Sequence, residues 1–511
     1  MSELTKLQLK NCPDTLPSDG RASVVRSGET LILTRIGVIL LCFSGLVVGA
    51  VGPAVAAEPF TITDAISYAV RSHPGVGEAA ANRRATESEM RQTQSTLLPQ
   101  VRLEARTGYN RFNQTDITPP LTGNAVGMAQ TNQSLIVRQL LFDGFSSIND
   151  IWRQASRVDA AAARVHERTE LIALDAISAY IEVSRYTRIV SVAEINVAEH
   201  RKIFANVQAR FRGGRAGEGD LEQAAERVAS AEAAHQQYRR NLDEARAAYR
   251  SAVGLEPFNL RFPSRLGQLP RSREDALQVA LSENPTIKAA RADAEAARYA
   301  FRTTDGTLSP TVSLEGRAQK DYNASPTLPG HSTNQSGAVV FSWDAFRGGQ
   351  DSWRRVEMSE RYIEATQRHA RLQREAFSSV DKAWAARTIA SEQVAALQRQ
   401  VDSDRKVISA YTKEYELGQR SLIDLLNAHN QYFSGLVGLD SARGVAVFGD
   451  YQLLAFVGRL LAYLNMPKPA ESAPLEQRPI GILPFKIPPI LINPPEPSGP
   501  EPLNLSAPGP R

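Results

Sequence analysis

The chain alternates between a helical and a strand periodicity. From Phe60 to Leu97 apolar residues recur at helical spacing, interrupted by His73-Pro74. Pro99 ends the run, since proline has no amide hydrogen and clashes with the preceding turn. Val101, Leu103, Ala105, Thr107 and Tyr109 then alternate with Arg102, Glu104, Arg106 and Gly108, the period of two that marks a strand with unlike faces. A polar loop from about Asn113 to Asn132 leads to a second strand, Ser134 to Phe142, whose alternation is poor, and Asp143-Gly144 marks the exit. From Phe145 to Arg212 no proline interrupts a helical pattern carrying Leu174, Ile177 and Ile181, then Ile189, Val192 and Ile195. At about 1.5 Å per residue this helix is on the order of 100 Å long. Glycines from Gly213 to Gly219 break it, and a helix of about half that length runs from Asp220 to Val253, closed by Gly254 and Pro257.

The same order then recurs. Leu281 to Pro285 echoes Val70 to Pro74, Leu308-Ser309-Pro310 echoes Leu97-Leu98-Pro99, and Val312, Leu314, Glu315 and Arg317 fall where Val101, Leu103, Glu104 and Arg106 did. A polar loop leads to Val339, Phe341 and Trp343, and Trp343-Asp344-Ala345-Phe346 matches Phe142-Asp143-Gly144-Phe145. A second unbroken helix runs to Leu417, and after another glycine tip a helix continues to about Leu464. The two tips align, Gly214 with Gly418, Asp220 with Asp424, Leu221 with Leu425 and Ala224 with Ala428. A glycine after a helical run takes the left-handed backbone that stops it, and an Asp in the next first turn suits the positive end of the dipole. Both tips therefore read as the ends of antiparallel helical hairpins.

Lengths decide the architecture. In the first copy the two shorter helices together match the long one, so they can stack end to end beside it as a wall of even height. The expected fold is mixed and mainly α: an internally duplicated long-helix tunnel joined to a transmembrane β-barrel. Four strands per chain cannot close a barrel, because bacterial single-chain barrels start at eight and open edges are not tolerated in lipid. Three chains supply twelve strands, so the barrel is completed by trimerisation. A soluble coiled-coil rod is the competing reading; it leaves the strands without partners. The expected organisation is a leader with signal peptide at 1–57, a first repeat at 58–257, a second at 258–465 and a Pro-rich disordered tail at 466–511.

Composition changes this picture in three places. Arg35, the apolar run Ile36 to Val51 and the small residues up to Ala57 form an export-signal pattern with cleavage expected after Ala57. An uncleaved membrane anchor is the alternative, although the run is short for a span of about 20 residues. The only cysteines, Cys12 and Cys42, precede that site, so the mature chain would hold no thiol or disulfide. The net charge of +4 comes from Arg interleaved with Glu and Asp along helices, a solvated face rather than a nucleic-acid surface. Seven scattered His give no local zinc pair, and no phosphate loop or nucleophile elbow occurs. No cofactor, metal or enzyme activity is expected.

The tip Tyr415-x-x-Gly418-x-Arg420-Ser421-x-x-Asp424-Leu425-Leu426-Asn427-Ala428, the Leu-x-Pro before each first strand, Phe142-Asp143-Gly144 and the duplicated order together resemble the TolC-type outer-membrane efflux and secretion proteins. The resemblance covers about residues 58 to 465. It implies a homotrimeric duct in the outer membrane of a Gram-negative cell, with a periplasmic tunnel whose tips meet a membrane-fusion adaptor and an inner-membrane ABC transporter or proton-driven pump. Carried over by residue, it implies a periplasmic gate of Asp220, Tyr415, Arg420 and Arg443, in which Tyr and Arg donors on one hairpin pin a carboxylate on another. Helix capping is the plainer role for Asp220, and Gly219 stands where the family often has a hydroxyl side chain. Asp424 and Asn427 lie three apart on one helical face, so three-fold symmetry would make Asp424 a carboxylate ring at the tunnel entrance; a plain amino-terminal helix charge is the other reading. Gly213, Gly214, Gly217 and Gly418 mark the tips where an adaptor would dock, and Val101, Leu103, Tyr109, Phe142, Val339, Phe341 and Trp343 the membrane strands, facing lipid or packed within the barrel. The resemblance implies the outer-membrane channel of a type I secretion system, with a multidrug-pump duct as the alternative.

Overall fold

In a computed structural model of the chain, the described residues are 60–112, 126–325 and 329–475. The leader, the apolar run 36–51, the Ala57 site and residues 476–511 lie outside them. Helices α1 (Ile62–Ser72) and α2 (Pro74–Ser95) lead to strands β1 (Gln100–Phe112) and β2 (Val126–Phe142), long helix α3 (Ser146–Arg212) and helix α4 (Glu218–Val253). The second copy runs α5 (Arg273–Glu283), α6 (Pro285–Thr303), β3 (Thr311–Tyr322), β4 (His331–Ser342), α7 (Gln350–Glu416) and α8 (Leu422–Val457), followed by the short α9 (Leu460–Tyr463). The duplication is metric as well as topological: α3 and α7 each have 67 residues, α4 and α8 each 36.

The break at His73-Pro74 has a chemical cause. His73 ends α1 and caps α2, its Nδ1 accepting from the Gly75 amide at 3.0 Å, and Pro74 at the first helical position leaves no amide orphaned. Asn284 does the same before Pro285, its Oδ1 accepting from the Ile287 amide at 3.1 Å.

Helix α3 is the spine. Nearest the strands, the packing order is α2, α3, α6, α7; nearest the tips, it is α4, α3, α8, α7. The core between the copies is made by Ile66 of α1, Ile177 and Ile181 of α3, Tyr451 and Leu454 of α8 and Leu461 of α9, all buried. Burial pushes the Tyr451 phenol up to about 12.

The strands form one antiparallel sheet in the order β1-β2-β3-β4. Its register sorts the side chains. Val101, Val137, Gly316 and Gly337 stand abreast on one face, as do Leu103, Leu135, Ala318 and Gln335, with Leu314 beside Val339 and Val312 beside Phe341. The other face carries Arg102, Glu104, Arg106, Asn132, Arg138, Glu315, Arg317 and Asp321. The apolar face is the more exposed, with Leu103 78% and Val339 66% accessible, while Ser134 and Ser313 on the polar face are buried. An apolar exterior around a polar interior is the outer-membrane barrel pattern.

Four expectations need correction. Strand β2 begins at Val126, not Ser134, because its first residues pair along β1, joined from Thr131 onward by β3, and need no apolar alternation to hold them. Trp343, expected in the membrane strands, follows the last residue of β4. Helix α8 stops at Val457 rather than running to about Leu464, since Gly458 turns left-handed at φ +79° and the Arg459 amide bonds back to the Leu454 carbonyl at 2.9 Å. Residues 467–475, expected in the unordered tail, pack on the first copy: Glu471 pairs with Arg84, and the Leu475 amide donates to Asp159 at 2.9 Å. No helix among the described residues is long and apolar enough to cross a membrane.

Candidate functional site at the hairpin tips

Both tips use one stop. The Arg215 amide bonds to the Arg210 carbonyl at 2.8 Å and the Gln419 amide to the Glu414 carbonyl at 2.9 Å, with Gly214 at φ +65° and Gly418 at φ +75° between them. Glycine alone takes that backbone without steric cost. The next helices start differently. Ser421 caps α8 by accepting the Asp424 amide at 3.3 Å, whereas Gly217 caps α4 with no side-chain bond. All four tip glycines, Gly213, Gly214, Gly217 and Gly418, are exposed.

The two hairpins are joined at their ends. Val207 of α3, Ala224 of α4 and Leu422 and Leu426 of α8 form a small buried cluster against Ile203, Phe204, Leu221 and Tyr415. The Arg210 guanidinium lies 4.5 Å from the centre of the Tyr415 ring, a cation–π contact from α3 to α7. Burial pushes the Tyr415 phenol up, the Arg210 charge opposes this, and Asp220 is near enough to reinforce it. Tyr415 thus has Arg210, a residue that sequence reasoning missed, as its partner across the hairpins, while Asp220 acts on it through its charge.

Arg420 and Arg443 lie elsewhere within one chain. Arg420 donates to Glu414 at 2.9 Å, stands 3.8 Å from Asp424 and covers the Tyr411 ring at 4.2 Å, all on its own hairpin. Arg443 lies about 30 Å along α8 from the tip at about 1.5 Å per residue. It donates to Gln398 at 2.7 Å and to Asp440 at 3.4 Å, and Arg188 of α3 holds the same buried Asp440 at 2.9 Å. Asp424 is half-exposed in the first turn of α8, and exposed Asn427 accepts from Arg227 of α4 at 3.5 Å.

Three of the four buried carboxylates among the described residues are tied across elements, and they escaped the sequence because nothing local separates them from a solvated face. Asp450, wholly buried, accepts from Arg265 at 2.5 and 2.8 Å, from Arg387 at 2.9 Å and from the Leu266 amide at 3.2 Å. Glu170 of α3 receives the Leu460 and Leu461 amides at 3.2 and 3.3 Å, satisfying the start of α9. Asp440 is the third. The arginines that meet Asp450 and Asp440 look in the sequence like ordinary helix-surface charges, and Glu170 is matched by His166 at 3.2 Å.

His200 of α3 and His429 of α8 meet above the tip cluster, ring centres 6.1 Å apart, with His200 Nδ1 buried and unpartnered. Burial lowers both pKa values. At His200, His429 and Arg227 add to the lowering while Glu226 and Glu199 oppose it; at His429, Glu199 opposes and Lys202 adds. Both rings are therefore neutral in the folded chain near pH 7. Since their folded values lie below the ordinary 6.5, the unfolded chain takes up protons first as pH drops. Their contribution to stability is complete above pH 6.5 and is lost as pH falls through the folded values. Urea midpoints should accordingly fall between pH 7 and pH 5, and His200→Gln with His429→Gln should flatten the decline; an unaltered slope would remove the pair as its source.

Residues 65–255 and 276–442 match the family described as outer membrane efflux protein, one segment in each copy. The chain is 26% identical over 425 residues to the outer membrane efflux protein BepC of Brucella suis, covering 83% of this chain and 91% of that one. It is 22% identical over 346 residues to the alkaline protease secretion protein AprF of Pseudomonas aeruginosa, covering 66% of this chain and 70% of the other. Its fold is that of a solved membrane protein from Pseudomonas aeruginosa, with a TM-score of 0.70 at 16% identity over 78% of this chain and 90% of that one.

Proposed function

We propose, from the premise that this chain belongs to the outer membrane efflux protein family, that it is the exit duct of a type I secretion system. Three copies would assemble into one tube passing unfolded polypeptide from an inner-membrane ABC transporter and a periplasmic adaptor to the outside. Its place is the outer membrane of a Gram-negative cell. The chain supplies passage and no chemistry, so energy comes from the transporter.

One observation carries this reading: at each level the chain is an arc of four elements with two open edges. The sheet ends on β1 and β4, which do not pair with each other. The helical layers end on α7 at one side and on α2 or α4 at the other. Trp353, Val356, Ile363 and Ile389 of α7 stand exposed. An unpaired strand edge in lipid costs several kcal/mol per backbone group, so β4 of one copy must meet β1 of the next. Three arcs of four give twelve strands and twelve helical positions, an even closed barrel over a tunnel.

Secretion is favoured by the Gly418-Gln419-Arg420-Ser421-Leu422 tip and by the similarity to a protein named for protease secretion. Drug efflux is the second reading, favoured by the similarity to a protein named for efflux. Deleting the gene should abolish export of a secreted protein and leave drug tolerance unchanged; the opposite pattern supports the pump. Purified mature chain should need detergent, have the mass of three copies and conduct ions in planar bilayers. A detergent-free monomer would end the duct reading.

On this reading Asp220, Tyr415, Arg420 and Arg443 form the periplasmic gate, Arg420 and Arg443 finding their further partners on the neighbouring copy. Asp424 lines the entrance, with Asn427 beside it. Asp424→Ala should then reduce cation selectivity, and an unchanged reversal potential would take Asp424 off the entrance ring.

A further inference from the structure

The polar face of the sheet carries four arginines against three carboxylates, and two of the arginines stand unpaired among the described residues. Arg102 pairs with Glu104 at 3.4 Å and Arg138 with Glu315 at 3.3 Å. Asp321 is held by amides instead, at 2.5 Å from Asn132 and 2.9 Å from Gln319. Arg106 and Arg317, both exposed, have no carboxylate partner among the described residues. Closing the barrel does not supply one. The strand that β1 must meet is a neighbour's β4, and the polar face of β4 offers Ser332, Asn334, Ser336, Ala338 and Val340, none of them charged.

We infer that Arg106 and Arg317 form a cationic lining on the inner wall of the barrel that holds acidic segments of an unfolded polypeptide on its way out. The inference rests on the duct reading and names the class of cargo it takes. Both residues sit mid-strand, Arg106 abreast of Asn132 and Arg317 abreast of Ile136 and Ser336, so three copies place six guanidinium groups at the middle of the barrel. A guanidinium fork grips a passing carboxylate through two parallel bonds, and arginine rings are a means by which pores select anions. The grip is reversible because the site is wet and each contact is screened by salt. A basic or neutral segment gains nothing there, so the lining sorts cargo by charge after the entrance has admitted it.

The test uses the full-length trimer in planar bilayers, with polyglutamate or polylysine of equal length added from the barrel side. Polyglutamate should block current at a concentration at least tenfold below that of polylysine. The Arg106→Gln, Arg317→Gln double variant should conduct ions and lose that preference, and Arg317→Gln alone should lose part of it. Equal block by the two polymers, or a preference retained in the double variant, overturns the inference while leaving the duct intact. A wild-type trimer that conducts no ions overturns the duct reading and the inference with it.

Discussion

Replacing Asp450 with alanine should cost about 3–5 kcal/mol of stability, the largest loss expected from any single charge in the chain. The carboxylate is wholly buried and is the shared acceptor of Arg265, Arg387 and the Leu266 amide. Those donors come from the segment between the two copies and from α7, while Asp450 itself sits on α8. Alanine would leave two guanidinium groups facing each other with no counter-charge, and would orphan the amide as well. Asp450→Asn keeps the shape and one acceptor, so its cost should be smaller, though still above that of a surface change. Urea denaturation of the detergent-solubilised protein at fixed concentration reads both. A loss below about 0.5 kcal/mol, typical of surface substitutions, would mean that water reaches the site and the hub holds nothing together.

Breaking the tip link should open the resting duct. Arg210→Ala with Tyr415→Ala removes the cation–π contact that ties α3 to α7, worth about 0.5–2 kcal/mol, along with the packing of the phenol against the tip cluster. With 1.4 kcal/mol equivalent to a factor of ten, loss of that contact should raise the open population by about two- to thirtyfold. Arg420→Ser gives a sharper comparison. Within one chain Arg420 engages only its own hairpin, through Glu414, Asp424 and Tyr411. If its further partner lies on the next copy, as the gate reading requires, Arg420→Ser should also raise conductance. An effect of the double variant alone would confine the latch to the contacts inside one chain. Unchanged conductance in both would remove the tips as the closing element.

Much of the fold was legible residue by residue. The helix stops at Gly214 and Gly418, the breaks at Pro74 and Pro285, and the strand alternation from Val101 to Tyr109 all act within a few residues, and all appear where the spacing put them. The start of β2 was not legible, because backbone pairing with β1, and from Thr131 also with β3, holds a polar strand that shows no apolar alternation. The stop at Gly458 was masked by the apolar run that continues into α9. In the candidate site Tyr415 lies against Arg210, which went unnoticed among many helix arginines. Arg443 proved to be a mid-helix partner of Asp440 rather than a tip residue within its own chain.

By itself, the amino-acid sequence determined the duplication, the lengths of the helices, the places where they turn and the four strands, because each follows from periodicity, proline, glycine and capping over short stretches. Only the tertiary structure decided which charges are buried, which arginine meets which carboxylate, and that every layer of the chain ends in two open edges. Those outcomes depend on residues such as Arg265 and Asp450, 185 positions apart, being brought to one point. Burial and pairing belong to the packed arrangement, and no local pattern encodes them.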